Sequence, residues 1–141
     1  GALVFGRATY DMMARAWSTQ AGRQRNPAVA ERMTSMPKTV FSKSLREARW
    51  ANTRIIATDP AVAMAEIKRE PGPDMVILGS GSIVTTLTRA RLIDTYQLVV
   101  SPIVLGGGRT LFEGLPESFG LELVQSRSFG NGNVVLWYRP V

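Results

Sequence analysis

Short β-branched runs alternate along the chain with stretches whose apolar residues recur every three or four positions, the mark of strands alternating with amphipathic helices. The run Ala2-Leu3-Val4-Phe5 predicts a buried strand that stops at Gly6-Arg7. Tyr10, Met13 and Trp17 then line one face of a helix, with Asp11 expected in its first turn, where the dipole favours an anion. Residues 18–25 are mostly polar and predict a mobile loop. Asn26-Pro27 is a cap followed by proline at the first helical position, and Val29, Met33 and Met36 give the stripe of the helix that Pro37 ends.

Strands follow over 38–42 and 53–57. Asp59-Pro60 repeats the start signal, for a helix that runs to about Glu70 and is broken by Pro71-Gly72-Pro73. Residues 74–78 read as a strand inside a parallel sheet. Gly79-Ser80-Gly81-Ser82 turns into a helix over 83–90, with Arg89 and Arg91 suiting its negative end. A strand over 94–101, a glycine-rich loop over 102–108 and two long strands over 121–129 and 133–139 complete the chain, the last two joined by Gly130-Asn131-Gly132 as a hairpin. Together these elements predict one α/β domain, a mainly parallel mixed sheet flanked by helices and closed by an antiparallel hairpin.

Composition narrows the chemistry. The 141 residues are 45% hydrophobic, enough for a real core. There is no Cys and no His. That excludes disulfides, thiolate and imidazole metal sites, Cys nucleophiles and every Ser-His-Asp triad, so no metal site is expected. The absence of Cys suits a reducing compartment, and the expected location is cytoplasmic. No apolar run approaches a membrane span and no secretory signal pattern is present. The chain opens directly on its first apolar run, from which residues upstream of Gly1 are expected.

Seventeen Lys+Arg against eleven Asp+Glu give +6. All of it lies in residues 1–70, with twelve basic and six acidic side chains; residues 71–141 carry five of each. The basic half predicts an anionic partner. Without blocks of like charge or interleaved aromatics, a phosphorylated cofactor fits better than nucleic acid.

Three turns can hold such an anion. Gly79, Ser80, Gly81 and Ser82 offer free N–H groups at the positive end of a helix, with no Cβ in the way at the glycines. The spacing departs from G-x-G-x-x-G, because position 84 is Val, so a Rossmann fingerprint is rejected. Gly6 and Arg7 end the first strand, and a guanidinium can bind phosphate through two parallel hydrogen bonds. Ser42, Lys43 and Ser44 end another. Read singly, the glycine turn is as well explained by a tight βα turn, and the other two are better explained by a solvated Arg and an ordinary polar loop. In a parallel sheet all three fall on one rim, where ligands of open α/β sheets bind. Gly106-Gly107-Gly108-Arg109 is a fourth candidate, with room for a ligand or merely a connector.

The run Val4-Phe5-Gly6-Arg7-Ala8-Thr9-Tyr10 resembles the GR-x-T segment of dihydrofolate reductases, and Leu78-Gly79-Ser80-Gly81-Ser82 resembles their cofactor-binding glycine turn. The stretch from Leu92 to Leu98 and the run from Pro102 through Gly106-Gly107-Gly108 to Leu111-Phe112 are similar to the tail pattern of the reductase half of the riboflavin-biosynthesis deaminase/reductase and its stand-alone relatives. The resemblance covers essentially the whole chain. It implies a three-layer dihydrofolate reductase-like domain over 1–141 that lacks the family's first strand and following helix.

It also implies an NADPH-dependent reductase that transfers hydride to a small heterocyclic, pterin-like or pyrimidine-like substrate, and a homodimer, for which the strands 94–101, 121–129 and 133–139 offer apolar residues such as Val100, Val135 and Trp137 in a long antiparallel edge. By resemblance Arg7 and Thr9 beside Gly6 hold cofactor phosphates. Ser42, Lys43 and Ser44 receive the adenosine 2′-phosphate, and Leu78, Gly79, Ser80, Gly81, Ser82 and Ile83 form the pyrophosphate turn. Hydride transfer asks little of side chains, so a chain without His or Cys is compatible with it. None of Asp11, Asp94 and Glu113 is assigned as proton donor. Two alternatives stand beside this reading: a nucleotide-binding module without turnover, and a basic nucleic-acid-binding domain whose affinity would fall steeply with salt.

Overall fold

The computed structural model describes all 141 residues. In chain order the elements are β1 (Ala2–Gly6), α1 (Arg7–Ser18), α2 (Gln20–Arg25), α3 (Pro27–Ser35), β2 (Lys38–Phe41), β3 (Thr53–Ile56), α4 (Pro60–Ile67), β4 (Met75–Ile77), α5 (Gly81–Arg89), β5 (Tyr96–Val100), β6 (Leu121–Ser128) and β7 (Val134–Pro140). The α/β architecture, with a parallel part first and an antiparallel part last, is as the sequence predicts. The two parts are separate hydrogen-bonded sheets: β3-β2-β1-β4 is wholly parallel, and β5-β7-β6 is wholly antiparallel. Between them β4 and β5 border a cleft of about 1410 Å³.

Alternation along β1 explains why its run is continuously apolar. Leu3 and Phe5 point to one side and pack with Tyr10, Val40 and Trp50. Val4 points to the other and packs with Phe41, Met64, Ile83 and Leu87 under α4 and α5. A strand buried on both faces needs apolar residues at every position. On the first side the rings of Phe5, Tyr10 and Trp50 meet with centroids 6.2–6.3 Å apart, and the Trp50 backbone N–H donates to the Tyr10 hydroxyl at 3.2 Å.

Several boundaries differ from the sequence reading. Residues 18–25 are not a loop but mostly helix α2, started by the Thr19 hydroxyl, which accepts from the Gly22 N–H. Gly22 is buried against α1, where a Cβ would fall onto the carbonyl oxygen of Ala16. Backbone-on-backbone packing, invisible to a periodicity search, therefore docks this polar helix. In α3 the buried residue is Ala30, while Val29 is exposed and Met33 and Met36 pack partly buried. Asp11 lies beyond the first turn of α1, because the helix begins at Arg7. Helix α4 ends at Ile67, and the next residue, Lys68, holds Asp94 and the Leu92 carbonyl, tying α4 to the approach of β5. The hairpin forms as expected, with Gly132 at φ +87° and a hydrogen bond from its N–H to the Phe129 carbonyl.

Lys38, at the start of β2, is 2% exposed. Its ammonium donates to the carbonyls of Thr34 and Met36 at 2.8 and 2.7 Å and lies 4.6 Å from the centre of the Trp50 ring. It closes the C-terminal end of α3, where the dipole favours a cation. Burial nonetheless lowers its pKa from 10.5 to about 8.

Candidate functional site

The carboxyl ends of β1, β2 and β4 form one rim, as a parallel sheet requires. The β1 and β4 turns are joined directly: the Gly6 backbone N–H donates to the Ser80 hydroxyl at 2.9 Å. A Cβ at Gly6 would lie 3.2 Å from Ile83, so the absence of a side chain lets the two turns touch. Gly79 sits over Thr9, whose side chain is about 4 Å from where a Cβ would be. Gly79 and Ser80 both adopt left-handed backbone, at φ +64° and +60°. For Ser this costs on the order of 1–2 kcal/mol, which the fixed hydroxyl contact to Gly6 helps to offset.

The β2 turn joins from the other side. Arg7 donates through Nε to Asp11 at 2.8 Å and through Nη1 to the Ser44 hydroxyl at 3.3 Å. Ser42 accepts from the backbone N–H groups of Ser44 and Leu45 at 3.3 and 3.0 Å, which shapes the turn. Lys43 is exposed beside it. The structure thus brings together Gly6, Arg7, Thr9, Ser42, Ser44, Gly79, Ser80 and the exposed first-turn residues Gly81 and Ser82. Leu78 and Ile83 belong to the same turn through their backbone, while their side chains pack into the cores on either side of the sheet. Asp11 was legible as an acid near the motif. Its part in aiming the guanidinium was not.

The local electrostatics separate the helices into two groups. Three helices have side-chain caps: Thr19 on α2, Asn26 on α3, and Asp59 on α4, which follows β3 and so also begins at the carboxyl edge of the sheet. The other two, α1 after β1 and α5 after β4, have none. Gly6 before α1 has no side chain, and the Ser80 hydroxyl before α5 is turned toward Gly6 instead. Neither has an acid in its first turn. Two uncapped helix N-termini, each with unpaired N–H groups and a positive dipole end, therefore converge beside Arg7 and Lys43. Nothing closes the space above α5: a Cβ at Gly81 would meet no atom within 4 Å. The arrangement suits an extended anion with more than one phosphate.

The acids near the motifs are engaged or remote. Asp11 is committed to Arg7 and Asp94 to Lys68. Glu113 lies in the loop after β5. No three Asp or Glu side chains gather as a metal site, and no helix is long and apolar enough to cross a membrane.

Similarity to known proteins follows the same lines. YyaP of Bacillus subtilis, an uncharacterized protein, is 28% identical over 141 residues, which cover 96% of this chain and 72% of that protein. YwjB of the same organism, also uncharacterized, is 33% identical over 66 residues, 47% of this chain and 38% of its own length. A putative riboflavin biosynthesis protein from Shewanella sp. PV-4 superposes with a TM-score of 0.77 at 22% identity, over 99% of this chain and 73% of that one. RibD of Acinetobacter baumannii superposes with a TM-score of 0.60 at 15% identity, over 100% of this chain and 47% of that one. At these identities the superpositions establish the fold, and the dihydrofolate reductase-like architecture is thereby confirmed. The family described as the RibD C-terminal domain matches residues 1–135, and the chain belongs to it.

Proposed function

We propose that this domain is an NADPH-dependent reductase that acts on a small heterocyclic substrate of the pterin or pyrimidine kind. The observation that carries the reading is the convergence of two uncapped helix N-termini, α1 and α5, on one rim beside Arg7 and Ser44. The residues fit a dinucleotide phosphate. Gly79 and Gly81 leave room for close backbone approach, the N–H groups of α5 face the pyrophosphate, and Arg7 with Ser42, Lys43 and Ser44 supplies charge and donors for the 2′-phosphate. The cofactor, when bound, supplies the hydride. The protein's part is to hold the dinucleotide along the rim, to orient it, and to exclude water from the reacting face.

The test is a fluorescence titration of Trp17, Trp50 and Trp137 with NADPH and NADH. Tighter binding of NADPH supports the reading. Binding of neither, or preference for NADH, overturns it.

A second reading is a nucleotide-binding module without turnover. It is favoured by the engagement of Asp11 and Asp94 in ion pairs, which leaves neither free as a proton donor at the rim. Cofactor binding without NADPH oxidation across a panel of pterin and pyrimidine substrates would select this alternative. Steady turnover of any of them would exclude it.

A further inference from the structure

The second half of the 101–120 loop runs alongside α5 in the same direction, from Leu111 to Phe119. Arg91, just past the C-terminal end of α5, stacks its guanidinium 4.0 Å from the centre of the Phe119 ring. Arg89 donates to the Gly114 carbonyl at 2.9 Å. One turn earlier in the helix, the Thr85 hydroxyl donates to the Leu111 carbonyl at 3.4 Å. As the loop number falls from 119 through 114 to 111, the helix number falls from 91 through 89 to 85. The direction of travel is toward the uncapped first turn of α5.

The next residues in that direction are Arg109 and the three glycines before it. Thr85 is four residues from Gly81, about 6 Å along a helix, and two residues of extended chain from Leu111 back to Arg109 span up to about 7 Å. Leu111, Val84 and Gly79 all line the same cleft. The glycines are unpacked: a Cβ at Gly106, Gly107 or Gly108 would meet nothing within 4 Å, and Gly106 and Gly108 hold φ +74° and +144°. Arg109 is exposed and makes no ion pair. The segment is thus a free arm, anchored at Leu111 by α5, with a guanidinium at the end nearer the anchor.

We propose that Arg109 closes over the first turn of α5 and binds the pyrophosphate of the dinucleotide, the glycines serving as the hinge. The inference rests on the dinucleotide reading of the rim. It assigns the two arginines different duties. Arg7, beside Ser44, reads the 2′-phosphate that only NADPH carries. Arg109 contacts the pyrophosphate that NADPH and NADH share.

The experiment measures dissociation constants of NADPH, NADH and adenosine 2′-monophosphate for the wild type, Arg109→Ala, Arg109→Lys and Arg7→Ala. A charge-assisted hydrogen bond predicts that Arg109→Ala weakens both dinucleotides by the same factor, about 10- to 150-fold. The monophosphate, which carries the 2′-phosphate and no 5′-phosphate, should be unaffected by it. Arg109→Lys should recover part of the loss. Trypsin gives an independent readout, because Arg109 is exposed on an unpacked loop: saturating NADPH should slow cleavage after Arg109 specifically, and the monophosphate should not.

If the wild type binds NADPH and Arg7→Ala weakens it while Arg109→Ala does not, this inference falls and the dinucleotide reading stands. Protection spread evenly over all tryptic sites would also overturn it, since that reports general stabilisation. A wild type that binds neither dinucleotide ends both.

Discussion

Ser80 accepts a hydrogen bond at 2.9 Å from the backbone N–H of Gly6, a residue 74 positions earlier in the chain. That contact does two things at once. It fastens the β4 turn to the β1 turn, and it takes from α5 the hydroxyl that would otherwise cap it. The rim is therefore held together by the same atom whose diversion leaves the helix end open to an anion. Replacing Ser80 with Ala should destabilise the domain by about 1–2 kcal/mol, for a lost hydrogen bond to a half-buried N–H. Ser80→Gly should cost less, because it also relieves the left-handed backbone. Urea unfolding of the two variants checks this, and an Ala variant as stable as the wild type would remove the bond from the account.

Arg7 should decide between the two nicotinamide cofactors. Its guanidinium is aimed by Asp11 toward Ser44, on the turn proposed for the 2′-phosphate. Arg7→Ala should weaken NADPH about 10- to 150-fold and NADH much less. Equal losses for both would move Arg7 from the 2′-phosphate to the pyrophosphate or to the fold.

Gly22 should tolerate no side chain. A Cβ there meets the Ala16 carbonyl, a backbone atom that cannot swing aside. Gly22→Ala should cost at least the ~1–3 kcal/mol of an overpacked core, visible as a lower melting temperature. A neutral variant would mean that α2 is not seated on α1.

Lys38 gives the stability a pH dependence of uncommon sign. Its pKa is about 8 in the fold and 10.5 when exposed. Between those values the unfolded chain binds the proton more tightly, so stability rises with pH. Below about pH 8 the cost of burying the charge is present in full. Relative to Lys38→Met, which removes the titrating group, the wild type should gain stability from pH 7.5 to pH 10. Urea unfolding of both proteins at the two pH values gives the difference. A constant gap would show that the two carbonyls and the Trp50 ring hold the charge without penalty.

The antiparallel sheet should pair with a second copy of the chain. Most of the exposed large apolar residues lie in this half, among them Val99, Val100, Leu123 and Val124, with Ile103, Val104 and Leu105 on the adjoining loop. Val104 is 95% exposed, while Val135, expected at this edge, is buried; exposed apolar residues gathered on one half of a domain mark an interaction site. This half is also balanced in charge, five basic against five acidic side chains, so two copies do not repel there. Light scattering should give the dimer mass at micromolar concentration. Val104→Asp should shift the protein toward monomer without unfolding it, and a monomeric wild type would overturn the pairing.

The sequence by itself determined the order of strands and of every helix but α2, the parallel-then-antiparallel plan, and the placing of Gly6-Arg7, Ser42-Lys43-Ser44 and Gly79-Ser80 at strand ends. These are carried by hydrophobic period and turn chemistry, which act over a few neighbouring residues and so are written locally. Tertiary structure alone decided that Ser80 turns toward Gly6 and leaves α5 uncapped, that Asp11 aims Arg7 at Ser44, and that polar residues 20–25 form a helix because Gly22 rests on Ala16. It also decided that Lys38 is buried under Trp50, that Val29 is exposed where Ala30 packs, and that β4 and β5 border a cleft instead of pairing. Each depends on two segments far apart in the chain meeting at one distance and angle, and no local pattern encodes that meeting.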